Sequence, residues 1–207
     1  MNSKEVFAIL EAVGALLANG HFLYTSGRHG NAYVNKDAVY PHTARVRELC
    51  EAMAEPFVNA QIDTVAGPTI GGVILSQWVA HFLSGLTGKE VTACFAEERT
   101  TPAGERERYF GRGYEQMIRG KRVLLVEDIL TTGGSIQRVV EAVKQIGGTP
   151  VAVMALCNRG GVTAEAVGVS QLTALCALDL QSWEPANCPL CQQGIPINGN
   201  VGKGKKS

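Results

Sequence analysis

Hydrophobic positions along this chain alternate between short continuous runs and longer stripes at helical spacing. The runs predict five strands, at residues 64–66, 91–96, 123–126, 149–156 and 172–178. The stripes predict four helices: one from residue 6 to about Asn19-Gly20, one from 43 to Pro56, one over 73–83, and one from 136 to Gly147. Because strands alternate with helices, the pattern predicts an α/β fold with a mostly parallel central sheet flanked by helices.

Two segments interrupt this alternation. Residues 21–35 have strand-like ends around a glycine turn, which predicts a hairpin. Residues 97–119 are rich in Glu, Arg, Gly and Thr and poor in apolar residues. Such a polar insertion between two core strands is either a mobile loop or a solvated hairpin. No linker divides the chain, so we expect a single domain over residues 1–207.

The residues around position 127 combine acidic side chains with a turn that suits an anion. The apolar run Val123–Val126, typical of a strand covered on both faces, leads into Glu127 and Asp128. The turn Thr131–Ser135 then opens a helix, so its backbone N–H groups and hydroxyls can hold a phosphate at the positive end of the helix dipole. The carboxylates can accept hydrogen bonds from sugar hydroxyls and help to hold a hydrated Mg²⁺. Together these groups suit a sugar phosphate.

Two further turns follow predicted strands. Gly67–Gly72, with the sequence Gly-Pro-Thr-Ile-Gly-Gly, connects a strand to a helix and again suits an anion. Taken alone, it is equally well an ordinary strand–helix turn. Asn158–Gly161 follows the strand predicted at 149–156. In open parallel sheets, ligands bind beyond the carboxyl ends of the strands, so the three turns predict one common site.

Composition and charge argue against several classes of protein. The hydrophobic share of 45% and the charged share of 18% are those of an ordinary globular protein. The formal net charge is zero, which gives no electrostatic reason to expect binding to nucleic acid or to a membrane. No apolar stretch reaches membrane-spanning length and the first residues do not resemble a signal peptide, so we expect a cytoplasmic protein.

The six cysteines fall into two groups. Four lie in predicted core segments, where a free thiol behaves as a small hydrophobe: Cys50, Cys94, Cys157 and Cys176. Cys188 and Cys191 form the one C-x-x-C, which could be half of a zinc site. No second C-x-x-C or paired histidine follows, and the four histidines are scattered along the sequence. We expect reduced structural thiols, and whether Cys188 and Cys191 bind a metal or form a redox pair stays open.

The succession of hydrophobic strand, acidic pair and Thr-Thr-Gly-Gly loop at residues 123–135 resembles the phosphoribosyl pyrophosphate (PRPP) binding motif of the type I phosphoribosyltransferases. The similarity covers most of the chain and is closest to the orotate phosphoribosyltransferases. No Walker A or dinucleotide-binding fingerprint competes with it. The resemblance implies the type I phosphoribosyltransferase fold with a small hood, built from elements within about residues 1–40 and from the C-terminal segment.

The same resemblance implies an activity. The reaction is transfer of the 5-phosphoribosyl group from PRPP to orotate, which gives orotidine 5′-monophosphate and pyrophosphate in UMP biosynthesis. The implied cofactor is Mg²⁺, held mainly by PRPP and water rather than by direct protein ligands. The implied assembly is a homodimer in which a lid is shared across the subunits.

The resemblance assigns roles by position. Glu127 and Asp128 match the catalytic acidic pair. The residues that match the 5′-phosphate loop are Thr131, Thr132, Gly133, Gly134 and Ser135. Those that match the pyrophosphate loop are Gly67, Pro68, Thr69, Ile70, Gly71 and Gly72. Those that match the orotate site are Arg159, Thr131 and Tyr33, with Ser26-Gly27-Arg28 as part of the hood.

Residues 97–119 match the lid, but the charges there depart from the family pattern. The better-known orotate enzymes carry lysines and a histidine in this loop, whereas this chain has neither between Glu97 and Gly120. Gly71 and Thr25 also stand where many members have Lys. The cations available in the lid are Arg99, Arg106, Arg108, Arg112 and Arg119. We predict Arg99 as the catalytic one, while the arginine that replaces the missing lysine stays open.

Two other functions stay open at this point. One is a type I phosphoribosyltransferase for a purine or another base. The other is a non-catalytic PRPP-binding regulator, which only the lysine-free lid supports, since no DNA-binding module accompanies it. Arg159 and the Ser-Gly-Arg segment favour orotate, because a guanidinium fork fits a carboxylate or carbonyl edge.

Overall fold

The computed structural model describes residues 1–24, 26–178 and 181–201. The chain divides into two compact units. The first consists of Met1–Ser3 and Ala44–Leu178, and the second of Lys4–Thr43 and Asp179–Ser207. No helix in the described ranges is long and apolar enough to cross a membrane. The second unit therefore combines segments from near both ends of the chain.

The described residues form helices and strands along most of the chain. The α-helices are α1 (Ser3–Ala12), α2 (Thr43–Ala54), α3 (Gly71–Thr87), α4 (Glu115–Ile118), α5 (Gly134–Ile146), α6 (Ala164–Val167) and α7 (Pro189–Gln192). The strands are β1 (Leu16–Leu17), β2 (Phe22–Leu23), β3 (His29–Gly30), β4 (Tyr33–Val34), β5 (Thr64–Pro68), β6 (Thr92–Thr100), β7 (Arg106–Tyr109), β8 (Arg122–Leu130), β9 (Thr149–Asn158), β10 (Leu172–Ala177) and β11 (Ser182–Trp183). Short 3-10 helices occupy Lys36–Ala38, Glu55–Phe57 and Pro185–Asn187.

The first unit is built on a six-stranded sheet in the order β10-β9-β8-β5-β6-β7. All neighbouring pairs are parallel except β6 and β7, which are antiparallel. Helix α3 connects β5 to β6 and α5 connects β8 to β9, so the crossovers follow the strand–helix–strand pattern of parallel sheets. The predicted α/β fold with a mostly parallel sheet is confirmed, and all five predicted strands are present.

The apolar run in β8 is covered on both faces of the sheet. Leu124 and Leu125 are adjacent, so their side chains point to opposite faces, and both are fully buried. Leu125 belongs to a core cluster that includes Val139 and Val143 of α5. Burial on both faces explains why this strand reads as a continuous hydrophobic run rather than an alternating one.

The polar stretch 97–119 contains a hairpin. Strand β6 extends beyond the predicted residue 96 and pairs with β7, with Glu98 opposite Arg108. The remainder includes α4 before the chain enters β8. Of the two predicted alternatives, the solvated hairpin is confirmed for β6 and β7, while a mobile lid over residues 97–119 stays a prediction.

The second unit begins with a helix shorter than predicted. Helix α1 ends at Ala12, and the chain turns at Gly14, which has a left-handed φ of 69°. The Ala15 N–H donates to the Leu10 carbonyl at 2.7 Å. Leu16 then lies in β1, which pairs with β4, so the predicted helix to Asn19 is wrong at its C-terminal end. Apolar spacing alone missed the break because Leu16 continues the helical spacing of α1, although it is buried as part of β1.

The hairpin predicted at residues 21–35 is confirmed in part, because β2 and β3 are antiparallel with Phe22 opposite Gly30. Strand β11 adds to this sheet and places Trp183 opposite His29. The sheet therefore joins a segment near the N-terminus to one near the C-terminus.

The four cysteines assigned to the core are buried as predicted: Cys50, Cys94, Cys157 and Cys176. Burial raises the pKa of Cys50 and of Cys94 to about 12, so neither thiol ionises near neutral pH. All six cysteines of the chain are free thiols.

Candidate functional site

The acidic pair lies inside strand β8 rather than after it. Glu127 and Asp128 are 7% and 5% exposed, and the strand continues to Leu130 because β8 stays paired with β9 as far as Asn158. The Asp128 N–H donates to Glu127 Oε1 at 3.1 Å, and the Ile129 N–H donates to Asp128 Oδ1 at 2.7 Å. Backbone donors thus hold both carboxylates in place at the carboxyl end of the strand.

Two buried carboxylates side by side cannot both carry a full charge at low cost. Burial raises the pKa of Glu127, and the charge of Asp128 raises it further, while the charge of Arg108 opposes the shift. We therefore expect Glu127 and Asp128 together to carry less than two negative charges in the free protein. A cationic group or a set of hydroxyl donors close to the pair would favour full ionisation.

The predicted phosphate loop lies between this pair and helix α5. Gly133 precedes the helix with a left-handed φ of 78°, and a Cβ atom there would lie 2.8 Å from the Val162 side chain. Only glycine fits this position, since both the backbone conformation and the space exclude a side chain. The loop lines a cleft of about 180 Å³ together with Glu127, Ile129 and Leu130 of β8 and Ile136 of α5. Backbone N–H groups at the start of a helix have no partner within the helix, so the first turn of α5 makes this cleft suitable for an anion.

The second predicted loop, Gly67–Gly72, is packed tightly against β8. A Cβ atom on Gly67 would lie 2.7 Å from Gly72 Cα and from the Val126 carbonyl oxygen. These glycines are required for close packing, which brings the β5–α3 turn next to the strand that carries the acidic pair. Ile70 at the tip of the turn is 77% exposed, while Thr69 directs its hydroxyl to an arginine.

Arg108 of β7 connects the two loops. Its Nη1 donates to Thr69 Oγ1 at 3.0 Å, and its Nη2 donates to Ser135 Oγ at 3.2 Å. Glu98 on the partner strand lies 3.3 Å from the guanidinium. Only 8% of the Arg108 side chain is exposed, and within the described ranges its buried Nε has no hydrogen-bond partner. A buried guanidinium between two turns of this kind is chemically suited to bind a polyanion.

The pKa of Arg108 reflects this environment. Burial lowers it and the neighbouring charge of Arg138 adds to the effect, whereas Glu98 and Glu127 oppose the shift. Arginine keeps its proton throughout the accessible pH range, so the site holds a permanent positive charge that is only partly neutralised.

Arg99, the predicted catalytic arginine, faces elsewhere. It forms an ion pair with Glu107 and lies over the Tyr109 ring, 4.6 Å from its centroid. Adjacent residues of a strand point to opposite faces, so Arg99 and Glu98 lie on different sides of the hairpin. Glu98 shares its side with Arg108, and that alternation explains why Arg108 rather than Arg99 reaches the two loops. A catalytic role of Arg99 stays a prediction.

Arg159 follows β9 and lies beside the phosphate loop. Its Nη2 donates to Thr131 Oγ1 at 3.1 Å, and its backbone N–H donates to the Leu130 carbonyl at 2.8 Å. The next residue, Gly160, allows the close approach, because a Cβ atom there would lie 1.5 Å from the Thr131 carbonyl oxygen. The structure thus brings together Arg159 and Thr131, two of the three residues predicted for the base.

The third predicted base-binding residue, Tyr33, belongs to the second unit. Its ring packs on Phe22 with centroids 5.8 Å apart. Arg28 of the predicted hood segment donates to the Ser182 carbonyl at 2.7 Å and forms an ion pair with Glu184. These contacts show a structural role for both residues within the second unit, and the binding role of Tyr33 stays a prediction.

Sequence reasoning missed the special position of Arg108. It counted the arginine among five candidates in the lid, because a single sequence does not show which face of a hairpin each residue occupies. The signal that could have singled it out is the register: with Glu98 opposite Arg108, both side chains turn toward α5.

Taken together, the parallel sheet, the buried acidic pair and the two glycine turns define an enzyme class that binds phosphorylated sugars. The profile of the Phosphoribosyl transferase domain matches residues 35–169, which is well over half of the chain. The chain belongs to the phosphoribosyltransferase family.

Relatives and solved structures support the same placement. The chain is 37% identical over 196 residues to the orotate phosphoribosyltransferase of Desulforamulus reducens, with 95% of each chain covered. It is 38% identical to that of Pelotomaculum thermopropionicum, again with 95% of each covered. The crystal structure of Mycobacterium tuberculosis orotate phosphoribosyltransferase in complex with PRPP has a TM-score of 0.61 and 24% identity, covering 84% of this chain and 96% of that one. The last comparison confirms the fold.

Proposed function

We propose that this chain is an orotate phosphoribosyltransferase that transfers the 5-phosphoribosyl group from PRPP to orotate with release of pyrophosphate. The observation that carries the proposal is the β8–α5 junction, where a buried acidic pair precedes an anion-binding cleft. Identity of 37% over 95% of an orotate phosphoribosyltransferase supports the choice of base. The reaction belongs to the synthesis of UMP.

In the proposed complex, the 5′-phosphate occupies the cleft at Thr131–Ser135. The backbone N–H groups of this loop and the hydroxyls of Thr132 and Ser135 donate to the phosphate oxygens, while the Thr131 hydroxyl stays available to the base. Glu127 and Asp128 then accept hydrogen bonds from the ribose hydroxyls. As the bond to pyrophosphate breaks, positive charge develops on the ribose, and the two carboxylates stabilise it electrostatically.

The pyrophosphate is proposed to lie between the turn Gly67–Gly72 and Arg108. Arg108 already donates to both turns, so its guanidinium is held beside the position proposed for the anion. A charge-assisted hydrogen bond from a buried guanidinium strengthens as negative charge accumulates on the leaving group. Arg108 is therefore our candidate for the cation that replaces the lid lysine.

The proposed cofactor is Mg²⁺, bound mainly through PRPP and water. The residues present fit this assignment, because Glu127 lines the cleft, Asp128 is its neighbour in the strand, and both offer hard oxygen atoms. The raised pKa of Glu127 argues against direct ligation by both carboxylates before substrate binds. When bound, Mg²⁺ neutralises charge on the departing pyrophosphate.

Orotate is proposed to bind next to Arg159. The Arg159 guanidinium lies beside Thr131, so a carboxylate or carbonyl edge of the base can accept from both groups. A purine lacks the carboxylate that this arrangement favours. Tyr33 is proposed to stack on the base, as the resemblance implies.

The proposed assembly is a homodimer in which the hairpin β6–β7 and the residues after it serve as a shared lid, and the proposed location is the cytoplasm. Six free thiols suit a reducing compartment. Sedimentation velocity of the purified protein tests the dimer directly, because a monomer at micromolar concentration would contradict it.

The function is tested by mixing the purified protein with PRPP, Mg²⁺ and orotate and following the loss of orotate absorbance. We expect turnover with orotate and none with adenine, guanine or hypoxanthine. Turnover with a purine base alone would favour a purine enzyme. Binding of PRPP without turnover on any base would favour a regulator.

A further inference from the structure

Four potential metal ligands converge in the second unit, and none of them is a residue of the proposed active site. They are His21, His29, Cys188 and Cys191. Their ligand atoms all lie within 4.8 Å of one another. His21 precedes β2, His29 lies in β3, and the cysteines flank Pro189-Leu190. Two of the histidines that are scattered in the sequence therefore come together at the C-x-x-C.

The distances within the cluster are those of a tetrahedral site. Cys188 Sγ and Cys191 Sγ lie 3.6 and 3.8 Å from His21 Nε2, and Cys191 Sγ lies 3.3 Å from His29 Nδ1. Zn–S bonds of about 2.3 Å and Zn–N bonds of about 2.05 Å at tetrahedral angles place a sulfur and a nitrogen about 3.5 Å apart. The two nitrogens are 2.8 Å apart, against about 3.3 Å for a tetrahedral ion, so binding requires only a small separation of the rings.

A second contact orients the first histidine for binding. His21 Nδ1 lies 2.6 Å from the Ile195 carbonyl oxygen. A carbonyl only accepts, so Nδ1 carries the proton and the lone pair is on Nε2, which faces the cluster. A ring N–H that donates to a backbone carbonyl is the usual support of a metal-bound histidine.

Hydrogen bonds alone cannot satisfy all the ligand atoms of the cluster. His21 Nε2 offers one lone pair, but His29 Nδ1 and both sulfurs approach it. Only one of the three can donate along that lone pair. His21 and His29 are 2% and 6% exposed and Cys188 is fully buried, so of the four ligands only Cys191 is open to water. A single cation satisfies all four ligand atoms at once.

The second unit has short strands, so a cross-link would add to its stability. Each of its five strands within the described ranges is two residues long. Small units with few regular hydrogen bonds are commonly stabilised by a structural metal. The four ligands come from segments more than 150 residues apart in sequence, so a bound ion would close a very long loop.

We propose that His21, His29, Cys188 and Cys191 bind one structural Zn²⁺ that joins the N-terminal hairpin to the C-terminal segment. Two thiolates and two imidazoles are a ligand set that zinc prefers, and four protein ligands leave no position for substrate. The proposal is independent of the proposed transferase activity.

The first experiment is metal analysis of the full-length protein, expressed in zinc-supplemented medium and purified with a reductant. We expect about one zinc per chain by plasma mass spectrometry, and thiolate-to-metal charge-transfer absorption when the protein is reconstituted with Co²⁺. Absence of zinc in the purified protein, together with failure of the apoprotein to bind Zn²⁺ or Co²⁺, would overturn the proposal.

Substitution of single ligands tests whether these residues bind the ion. Cys191→Ser alters an exposed side chain and is expected to lower the zinc content at least about 10-fold, as is His29→Gln. His42→Gln is the matched control, since His42 is an exposed histidine of the same unit and should keep the metal. Chelation should lower the melting temperature of the wild type but not of Cys191→Ser. Equal zinc content in all proteins, or a Cys188–Cys191 disulfide in the reduced preparation, would sink the assignment.

Discussion

The β8–α5 junction and the His/Cys cluster are two polar sites assembled in opposite ways. The junction places Glu127, Asp128 and the loop Thr131–Ser135 in one continuous segment at the end of a strand. The cluster joins His21 to Cys188, which lie 167 positions apart. A site made by one segment leaves an ordered motif in the sequence, whereas a site made by two distant segments leaves only separate, weak signals.

The two sites also differ in their effect on the stability of the protein. The junction orders buried carboxylates around a cleft, and such an arrangement costs stability because like charges are desolvated together. The cluster offers four ligand atoms, so a metal ion bound there would have no open coordination position. Such a site stabilises the fold and does not take part in a reaction. We therefore expect substitutions in the first site to affect turnover and those in the second to affect stability.

The largest expected effect is that of Asp128→Ala, which removes one of the two carboxylates proposed to stabilise the cationic ribose. Loss of a preorganised electrostatic group lowers kcat by about 10³-fold. Initial rates with saturating PRPP and orotate measure the effect.

Cys188→Ser provides the comparison for Asp128→Ala. It should lower the melting temperature and the zinc content while leaving most of the kcat measured well below the melting temperature. Equal losses of turnover in the two variants would contradict the separation of the two sites.

Arg108→Ala should have the next largest effect. It removes a buried guanidinium that donates to Thr69 and Ser135, and we expect kcat/KM for PRPP to fall about 100-fold, since a charge-assisted hydrogen bond contributes roughly 1.5–3 kcal/mol. Steady-state kinetics at varied PRPP test this.

Arg99→Ala is the matched control for Arg108, because both residues lie on the same hairpin. Arg99 pairs with Glu107 at an exposed position, so its loss should change kcat/KM less than about 3-fold. A larger loss for Arg99 than for Arg108 would support the catalytic role predicted for Arg99 from the sequence and exclude our assignment of Arg108.

The contrast between these two arginines shows where sequence reasoning ends. The α/β fold, the five strands and the glycine turn between β8 and α5 could be predicted because each depends on local periodicity or a continuous motif. The choice of Arg108 depends on strand register, and the end of α1 depends on a turn at Gly14 that apolar spacing does not report. The His/Cys cluster depends on tertiary pairing between β3 and β11, which no single segment encodes.

Arg159→Ala should have a smaller and more selective effect. The guanidinium beside Thr131 is proposed to bind orotate, so we expect KM for orotate to rise about 10- to 30-fold with little change in the dissociation constant of PRPP. Kinetics at varied orotate measure the KM for orotate, and calorimetric titration measures the dissociation constant of PRPP. A parallel loss of PRPP affinity would place Arg159 in the phosphate site instead.

The smallest expected effect concerns stability and pH at the junction. The folded-state pKa of Glu127 is raised by burial and then by Asp128, so between the ordinary carboxyl value and the folded value the native state binds more protons than the unfolded state. The free energy of unfolding therefore falls as pH rises through this window. Glu127→Gln cannot ionise and removes that loss, so its melting temperature should exceed that of the wild type by roughly 2–4 °C at pH 9.

At pH 5 the Glu127→Gln difference should nearly vanish, since the wild-type carboxyl is then protonated in the folded state. Thermal melts of both proteins across pH 5–9 measure the trend, and comparison at equal pH cancels titration elsewhere. Glu141→Gln on the exposed side of α5 serves as the control and should melt like the wild type at every pH. A pH-independent difference for Glu127→Gln would mean that the pair is fully charged in the free protein, and that the junction carries no proton for substrate binding to displace.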